Sequence, residues 1–254
     1  KVIVTTTPKP IPLVNDLAKR KDVHITSGST FENKANLAES SLEQLKQRYE
    51  GTRLGRQELY AEVLEDVEGS LWSRDLIEKS ILPYNEKLPD MKRIVVAVDP
   101  AVTANKNSDE TGIVVCSVDF KGRYYILNDM SGKYTPDAWA KKTVETYESY
   151  NADKVIAEVN NGGDLVERVV KTQDANVSYK SVRATRGKFV RAEPIAALYE
   201  QKRVKHLERF SILEDQLCSY NPEITSQSPD RLDALVWGLT ELSARSGIAS
   251  WKIT

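Results

Sequence analysis

The stretch IVVAVDPA, residues 94–101, decides the predicted fold. Its first five residues form a continuous apolar run that is mostly β-branched and shows no alternation with polar positions. Such a run is typical of a strand buried on both faces of a sheet. Asp99 ends the strand and Pro100 stops it. The stretch therefore predicts a carboxylate fixed at the end of a buried strand, where it suits a metal ligand; the alternative is that Asp99 only begins an Asp-Pro turn.

Composition and charge narrow the class of protein. The chain has 254 residues, with 36 Lys and Arg against 37 Asp and Glu, so affinity for nucleic acid must come from a local basic patch. Its 2 cysteines predict neither a disulfide framework nor a zinc site. No apolar run approaches the roughly 18 residues that cross a bilayer. These features predict a soluble, intracellular protein, and the start at Lys1 predicts a fragment of a longer chain.

The order of elements after the first strand predicts the fold class. Residues 111–118 and 123–127 are apolar runs separated by a turn, which predicts a hairpin. An amphipathic helix capped by Thr135 follows, and KVIAEV at 154–159 then predicts a buried strand parallel to the first. This order is similar to that of ribonuclease H-like proteins, an α/β class with a mixed sheet flanked by helices.

Three acidic side chains are predicted to meet at one edge of this sheet. In such a sheet the first and fourth strands lie side by side, so their terminal acids Asp99 and Glu158 share an edge. A later helix, predicted over 228–242, carries Asp233 one turn from its start and beside its apolar stripe. A buried carboxylate is costly unless it is neutralised, and hard oxygen ligands favour Mg²⁺ or Mn²⁺ over zinc. We therefore predict a divalent-metal site formed by these three acids.

Each acid also has an ordinary explanation when it is taken alone. A single acid such as Glu158 at a strand end more often forms a salt bridge. Asp230 is favourable near a helix start because of the helix dipole, and we keep it only as a candidate to support a metal ligand. The joint placement, two strand ends and a helix start, is what favours the metal site.

Four segments of the chain together indicate a family. They are VAVDPA at 96–101, AEVNNGGDLVE at 157–167, RGKFVRAEPIAALYEQKRV at 186–204 and SPDRLDALVWGL at 228–239. In this order, they resemble the nuclease domain of a tailed-phage terminase large subunit. The front of the chain, with TTTPKP at 5–10 and the stretch 28–72, resembles the region that joins the packaging ATPase to that nuclease.

The resemblance implies metal-dependent cleavage of concatemeric double-stranded DNA during phage genome packaging. It implies that Asp99, Glu158 and Asp233 are the catalytic metal ligands for two divalent ions, Mg²⁺ or Mn²⁺. Asp230 occupies the position just before the last ligand, where some relatives have a further acidic residue or a histidine. The implied partners are double-stranded DNA and, in the intact parent, the terminase small subunit and the portal protein. The implied location is the host cytoplasm during phage assembly, and no association with a membrane is expected.

The same resemblance predicts the division of the chain. Residues 1–75 are expected to be the end of the ATPase domain, a small truncated α/β segment, and 76–92 a linker. The ribonuclease H-like nuclease domain is expected over 93–246, followed by a tail at 247–254.

A basic run is the predicted DNA contact. Its members lie between a predicted strand end and the following helix, beside the acidic edge, where they would bind backbone phosphates without reading sequence. For Arg183 and Arg186, a position on the solvated surface without a role in binding is an equal alternative. The run contains Arg183, Arg186, Lys188 and Arg191.

ATP hydrolysis is not expected. A phosphate loop requires Gly-Lys followed by Ser or Thr, whereas Tyr134 follows Gly132-Lys133 and Phe189 follows Gly187-Lys188. An actin-like or sugar-kinase ATPase would also need a duplicated domain and a glycine-rich nucleotide site, which the sequence lacks. A junction resolvase or transposase-type nuclease, and a non-catalytic structural module of the packaging motor, remain the alternatives.

Overall fold

A mixed sheet of six strands lies at the centre of the part that the structure describes. The structure, a computed structural model, describes residues 3–5, 12–49, 59–61, 67, 69–100, 110–159, 163–183, 188–221 and 229–244. The strands are β1 (Met91–Asp99), β2 (Gly112–Asp119), β3 (Tyr124–Asp129), β4 (Lys154–Glu158), β5 (Tyr179–Val182) and β6 (Val204–His206). Their order across the sheet is β5-β4-β1-β2-β3-β6.

Strand β1 occupies an inner position, as its unbroken apolar run predicted. It pairs antiparallel with β2 and parallel with β4, and β2 and β3 form the predicted antiparallel hairpin. Alternate side chains of β1 enter different cores: Val95 packs on one face of the sheet, and Val96 and Val98 pack on the other. The predicted ribonuclease H-like mixed sheet flanked by helices is confirmed.

Helices cover both faces of the sheet. Besides a 3-10 helix at Thr30–Asn36, the described helices are α1 (Pro12–Lys19), α2 (Glu39–Tyr49), α3 (Arg74–Glu78), α4 (Pro136–Ser149), α5 (Asp164–Gln173), α6 (Lys188–Glu200), α7 (Ser211–Ser219) and α8 (Asp230–Ala244). One face carries α4 and α5, and the other carries α3, α6, α7 and α8. The helix most enclosed by the fold is α8, which lies across β1 and β2 and buries polar as well as apolar side chains.

The predicted linker at 76–92 includes part of α3 and lies against the sheet. Ile77 and Leu82 are buried in the two cores, and the Leu82 N–H donates to the His206 carbonyl at 2.8 Å. Burial anchors this segment because removing apolar surface from water lowers the free energy of the folded chain. The domain boundaries at 1–75, 76–92, 93–246 and 247–254 stay predictions. No helix within the described ranges has the length and apolar character to cross a bilayer.

Asp119 closes the β2–β3 hairpin at the end of the sheet opposite to Asp99. Its carboxylate accepts hydrogen bonds from the backbone N–H groups of Lys121 and Arg123, both at 2.8 Å, and from Nε of Arg123 at 2.9 Å. Burial alone would raise the pKa of Asp119, but these hydrogen bonds lower it below its ordinary value. A carboxyl group with a lowered pKa stabilises the fold while it is ionised.

Replacing Asp119 by Asn is expected to lower the free energy of unfolding by about 1.5 kcal/mol at neutral pH, because charge-assisted hydrogen bonds are lost. The contribution of Asp119 is complete above the unfolded pKa of about 3.9 and is lost as the pH falls through the lower folded pKa. Urea unfolding of both chains from pH 7 to pH 3 checks this. The difference between them should be constant down to about pH 5 and shrink below about pH 4; a difference that grows on acidification would contradict the assignment.

Candidate active site

Two of the predicted ligands lie side by side at one edge of the sheet. The parallel register places Ala157 beside Val98, so Glu158 and Asp99 follow one residue further along their strands. Side chains alternate across a strand, and Val98 and Ala157 belong to the core under α4 and α5. Asp99 and Glu158 therefore project toward the opposite face, which α8 covers. Glu158 is buried and Asp99 is half-buried.

The start of α8 brings the third predicted ligand to the same edge. Gly112 pairs with Asp99 across β1 and β2. A Cβ atom at Gly112 would lie 2.1 Å from the backbone carbonyl oxygen of Asp230, so the first turn of α8 rests directly on the strand there. Asp233 belongs to that turn and is only 2% exposed. The acidic edge, defined here as Asp99, Glu158 and Asp233, is thus built by two strand ends and one helix start.

Replacing Gly112 by Ala is expected to lower the free energy of unfolding by about 3 kcal/mol, at the upper end for overpacking. The added methyl group would meet the Asp230 carbonyl oxygen at 2.1 Å and Cβ of Ala234 at 3.0 Å, and a backbone atom cannot turn away as a side chain can. Urea unfolding measures the change. Gly28→Ala is the control, since its nearest neighbour is a Glu32 carboxylate oxygen at 3.6 Å; equal stability of the two variants would contradict the close approach of α8.

Glu158 contacts two side chains that cross the edge from different helices. Nε1 of Trp237, in α8, donates a hydrogen bond of 2.6 Å to Oε2 of Glu158. Nη1 of Arg191, in α6, lies 3.7 Å from the same oxygen. The guanidinium carbon of Arg191 also lies 4.4 Å from the ring centroid of Trp237, a cation–π distance. The contact of Trp237 with Glu158 was not predicted from the sequence. Trp237 lies four residues after Asp233 on the same helix face, and this spacing was the signal that could have indicated it.

The chemistry of the acidic edge fits a hard divalent cation, since all three side chains offer carboxylate oxygens. Their side chains are not gathered around one point: within the described ranges, no group of three Asp, Glu, His or Cys residues lies close enough to hold an ion. Glu158 is turned toward Trp237 and Arg191 instead. The metal-binding roles of Asp99, Glu158 and Asp233 therefore stay predictions, and so does the supporting role of Asp230, which is half-buried.

The predicted DNA contacts have different surroundings. Arg183 is exposed directly after β5, whose Val182 pairs with Glu158, so it stands beside the acidic edge. The side chain of Arg191 is only 11% exposed and lies beside Glu158. Arg186 and the side chain of Lys188 fall outside the described residues. DNA contact by these residues stays a prediction.

A second arginine ties the start of α8 to the strands. Arg231 donates from Nε to Glu110 at 2.8 Å and from Nη1 to Asp129 at 2.7 Å. Its Nη2 donates to Glu110 and to the Ser131 carbonyl, both at 3.2 Å. Burial alone would lower the pKa of Arg231, but its bonds to the two carboxylates raise it. The network fixes the turn that carries Asp233.

Comparison with known protein families identifies the family of this chain. The family described as the terminase RNaseH-like domain matches residues 96–242, more than half of the chain. Comparison with curated proteins gave no match.

Three solved structures show the same fold. The large terminase nuclease of the thermophilic phage G20c with bound magnesium matches with a TM-score of 0.52 and 16% identity, over 69% of this chain and 98% of that one. The P22 large terminase nuclease domain matches with a TM-score of 0.50 and 16% identity, over 65% and 88% of the two chains. The large terminase of another thermophilic bacteriophage matches with a TM-score of 0.51 and 11% identity, over 85% of this chain but 53% of its own length. The chain belongs to the terminase RNaseH-like domain family.

Proposed function

We propose that this chain is the nuclease region of a phage terminase large subunit and cleaves concatemeric double-stranded DNA with the help of divalent metal ions. The observation that carries the proposal is the acidic edge, where the ends of β1 and β4 meet the first turn of α8. Hydrolysis assisted by hard divalent ions needs oxygen ligands to hold the ions, and membership of the terminase RNaseH-like domain family supports nuclease activity.

Asp99, Glu158 and Asp233 would hold the metal ions. The magnesium bound to the G20c nuclease supports Mg²⁺, with Mn²⁺ as the other candidate. When bound, two such ions supply an activated water and neutralise charge on the phosphate and the leaving oxygen. Asp230, one turn before Asp233, would help to position that turn.

The chain's own residues would then present the DNA to the site. Asp99 is the most exposed of the three acids, so a phosphate would reach it first. Arg183, with Arg186 and Lys188, would hold backbone phosphates through charge, so that binding is independent of sequence and weakens with salt. In the intact parent, an ATPase domain, the terminase small subunit and the portal protein would deliver the DNA, in the cytoplasm of the host.

Plasmid cleavage tests this function. Supercoiled and linear plasmid are incubated with the native chain and Mg²⁺, Mn²⁺ or EDTA, and the products are separated on agarose. We expect nicked, linear and shorter products with either ion and intact DNA with EDTA. If the folded chain cuts neither plasmid with either ion, the nuclease proposal fails and a structural role in the packaging motor takes its place.

A further inference from the structure

A guanidinium group that lacks hydrogen bonds lies against Glu158. Within the described part of the chain, Nε, Nη1 and Nη2 of Arg191 are all buried and have no hydrogen-bond partner. The nearest carboxylate oxygen, Oε2 of Glu158, is 3.7 Å from Nη1, which is close enough for an ion pair but too far for a hydrogen bond. Arginine stays protonated in proteins, so a full positive charge is held here by charge attraction and by the face of Trp237.

Other buried arginines of the described ranges are held more firmly. Arg231 donates to two carboxylates and a carbonyl. Arg93 donates from Nη2 to Glu241 at 2.9 Å. A buried donor that makes no hydrogen bond costs stability, so the position of Arg191 leaves its donors ready for a better acceptor. Hydrogen bonding therefore does not account for its place beside Glu158, whereas the charge of Glu158 does.

We propose that Arg191 is the exchangeable counter-ion of Glu158, which neutralises this carboxylate in the metal-free chain and competes with the divalent ion for it. The proposal rests on the proposed metal-binding role of Glu158. It explains why the three carboxylates are not gathered: Glu158 is occupied by a positive charge that the protein itself supplies.

Competition follows from charge. A divalent ion on Glu158 and a guanidinium a few ångströms away repel each other, so binding of the ion requires Arg191 to leave. The released guanidinium offers paired donors that match phosphate oxygens. DNA would then stabilise the displaced state, so that the metal site is completed best when a substrate phosphate is present.

Metal binding by the DNA-free protein tests the proposal without measuring cleavage. Mn²⁺ binding is measured by titration calorimetry for the native chain, Arg191→Gln and the control Arg93→Gln. Arg93 is a matched control because its side chain is 15% exposed, against 11% for Arg191, and pairs with a buried glutamate near the start of β1. We expect Arg191→Gln to bind Mn²⁺ about tenfold more tightly, a typical size for coupling between two charges at one site. Arg93→Gln should bind like the native chain.

A second measurement uses only the native chain, in case Arg191→Gln does not fold. In ¹H–¹⁵N spectra, addition of Mg²⁺ should shift the Nε–H signal of Arg191 and the indole N–H signal of Trp237, while the signal of Arg93 stays in place. Equal Mn²⁺ affinities of native and Arg191→Gln chains, or an unmoved Arg191 signal at saturating Mg²⁺, would overturn the counter-ion role alone. Absence of metal binding by every folded chain would overturn the proposed function as well.

Discussion

Replacing Asp99 or Asp233 by Asn is expected to lower metal-dependent DNA cleavage about a thousandfold. Metal ions contribute several kcal/mol to stabilising the transition state, and each 1.36 kcal/mol is a factor of about ten in rate. Asn keeps nearly the shape of Asp but removes the negative charge that binds the ion. The loss should therefore come from weaker metal binding at the acidic edge and not from a change of packing.

The two positions test different parts of the edge. Asp99 is half-buried at the end of β1, so its variant removes a predicted ligand that is partly accessible to solvent. Asp233 is only 2% exposed within the first turn of α8, so its variant tests whether that helix supplies a ligand at all. If Asp99→Asn is inactive and Asp233→Asn is fully active, the assignment of α8 is wrong while that of β1 stands.

Asp119→Asn is the matched control for both variants. Asp119 is also an aspartate and is also 2% exposed, but it lies at the opposite end of the sheet, where its register partner is Met91 at the start of β1. It should lose stability without losing cleavage. Rates from plasmid nicking with Mn²⁺, and unfolding midpoints in EDTA, separate the two effects. Equal loss of cleavage in all three variants would mean that instability, and not metal binding, is being measured.

The sequence was sufficient to predict the four inner strands of the sheet and the strand ends at which Asp99 and Glu158 lie. Unbroken apolar runs before Asp99 and Glu158 indicated strands buried on both faces, and the order of elements made these strands neighbours. The helical spacing of apolar residues around Asp233 predicted that this acid lies beside the buried face of a helix, and it is 2% exposed. Each element was predicted from residues that are close together along the chain, and the order of the elements supplied the rest.

Contacts between helices that are distant in sequence could not be predicted. The approach of Arg191 and Trp237 to Glu158 depends on how α6 and α8 cross the edge of the sheet, which no local pattern encodes. Arg191 was therefore predicted only as a contact to DNA phosphates, and its burial beside Glu158 was not foreseen. The charge of Arg191 was visible in the sequence, but the carboxylate that faces it was not.

The clearest of these distant contacts are those of Arg231. Its replacement gives the second of the two largest effects that we expect. Replacing Arg231 by Met is expected to lower the free energy of unfolding by about 4 kcal/mol, the usual cost of removing one partner of a buried charge pair. The Asp129 side chain is only 5% exposed, so its charge would be left without compensation. Glu110 would lose its two hydrogen bonds from the same guanidinium.

A double-mutant cycle separates this charge effect from lost packing. Asp129→Asn removes the uncompensated charge, so Arg231→Met with Asp129→Asn should be more stable than the sum of the single changes by about 1 to 3 kcal/mol. Urea unfolding of the four chains supplies the numbers, and strict additivity would show that the pair does not interact. Because Arg231 lies two residues before Asp233 on the same turn, its loss should also weaken Mn²⁺ binding in whatever fraction of the chain stays folded. Stability and metal affinity would then fall together, since Arg231 both neutralises the carboxylates beside the strands and fixes the first turn of α8, which carries Asp233.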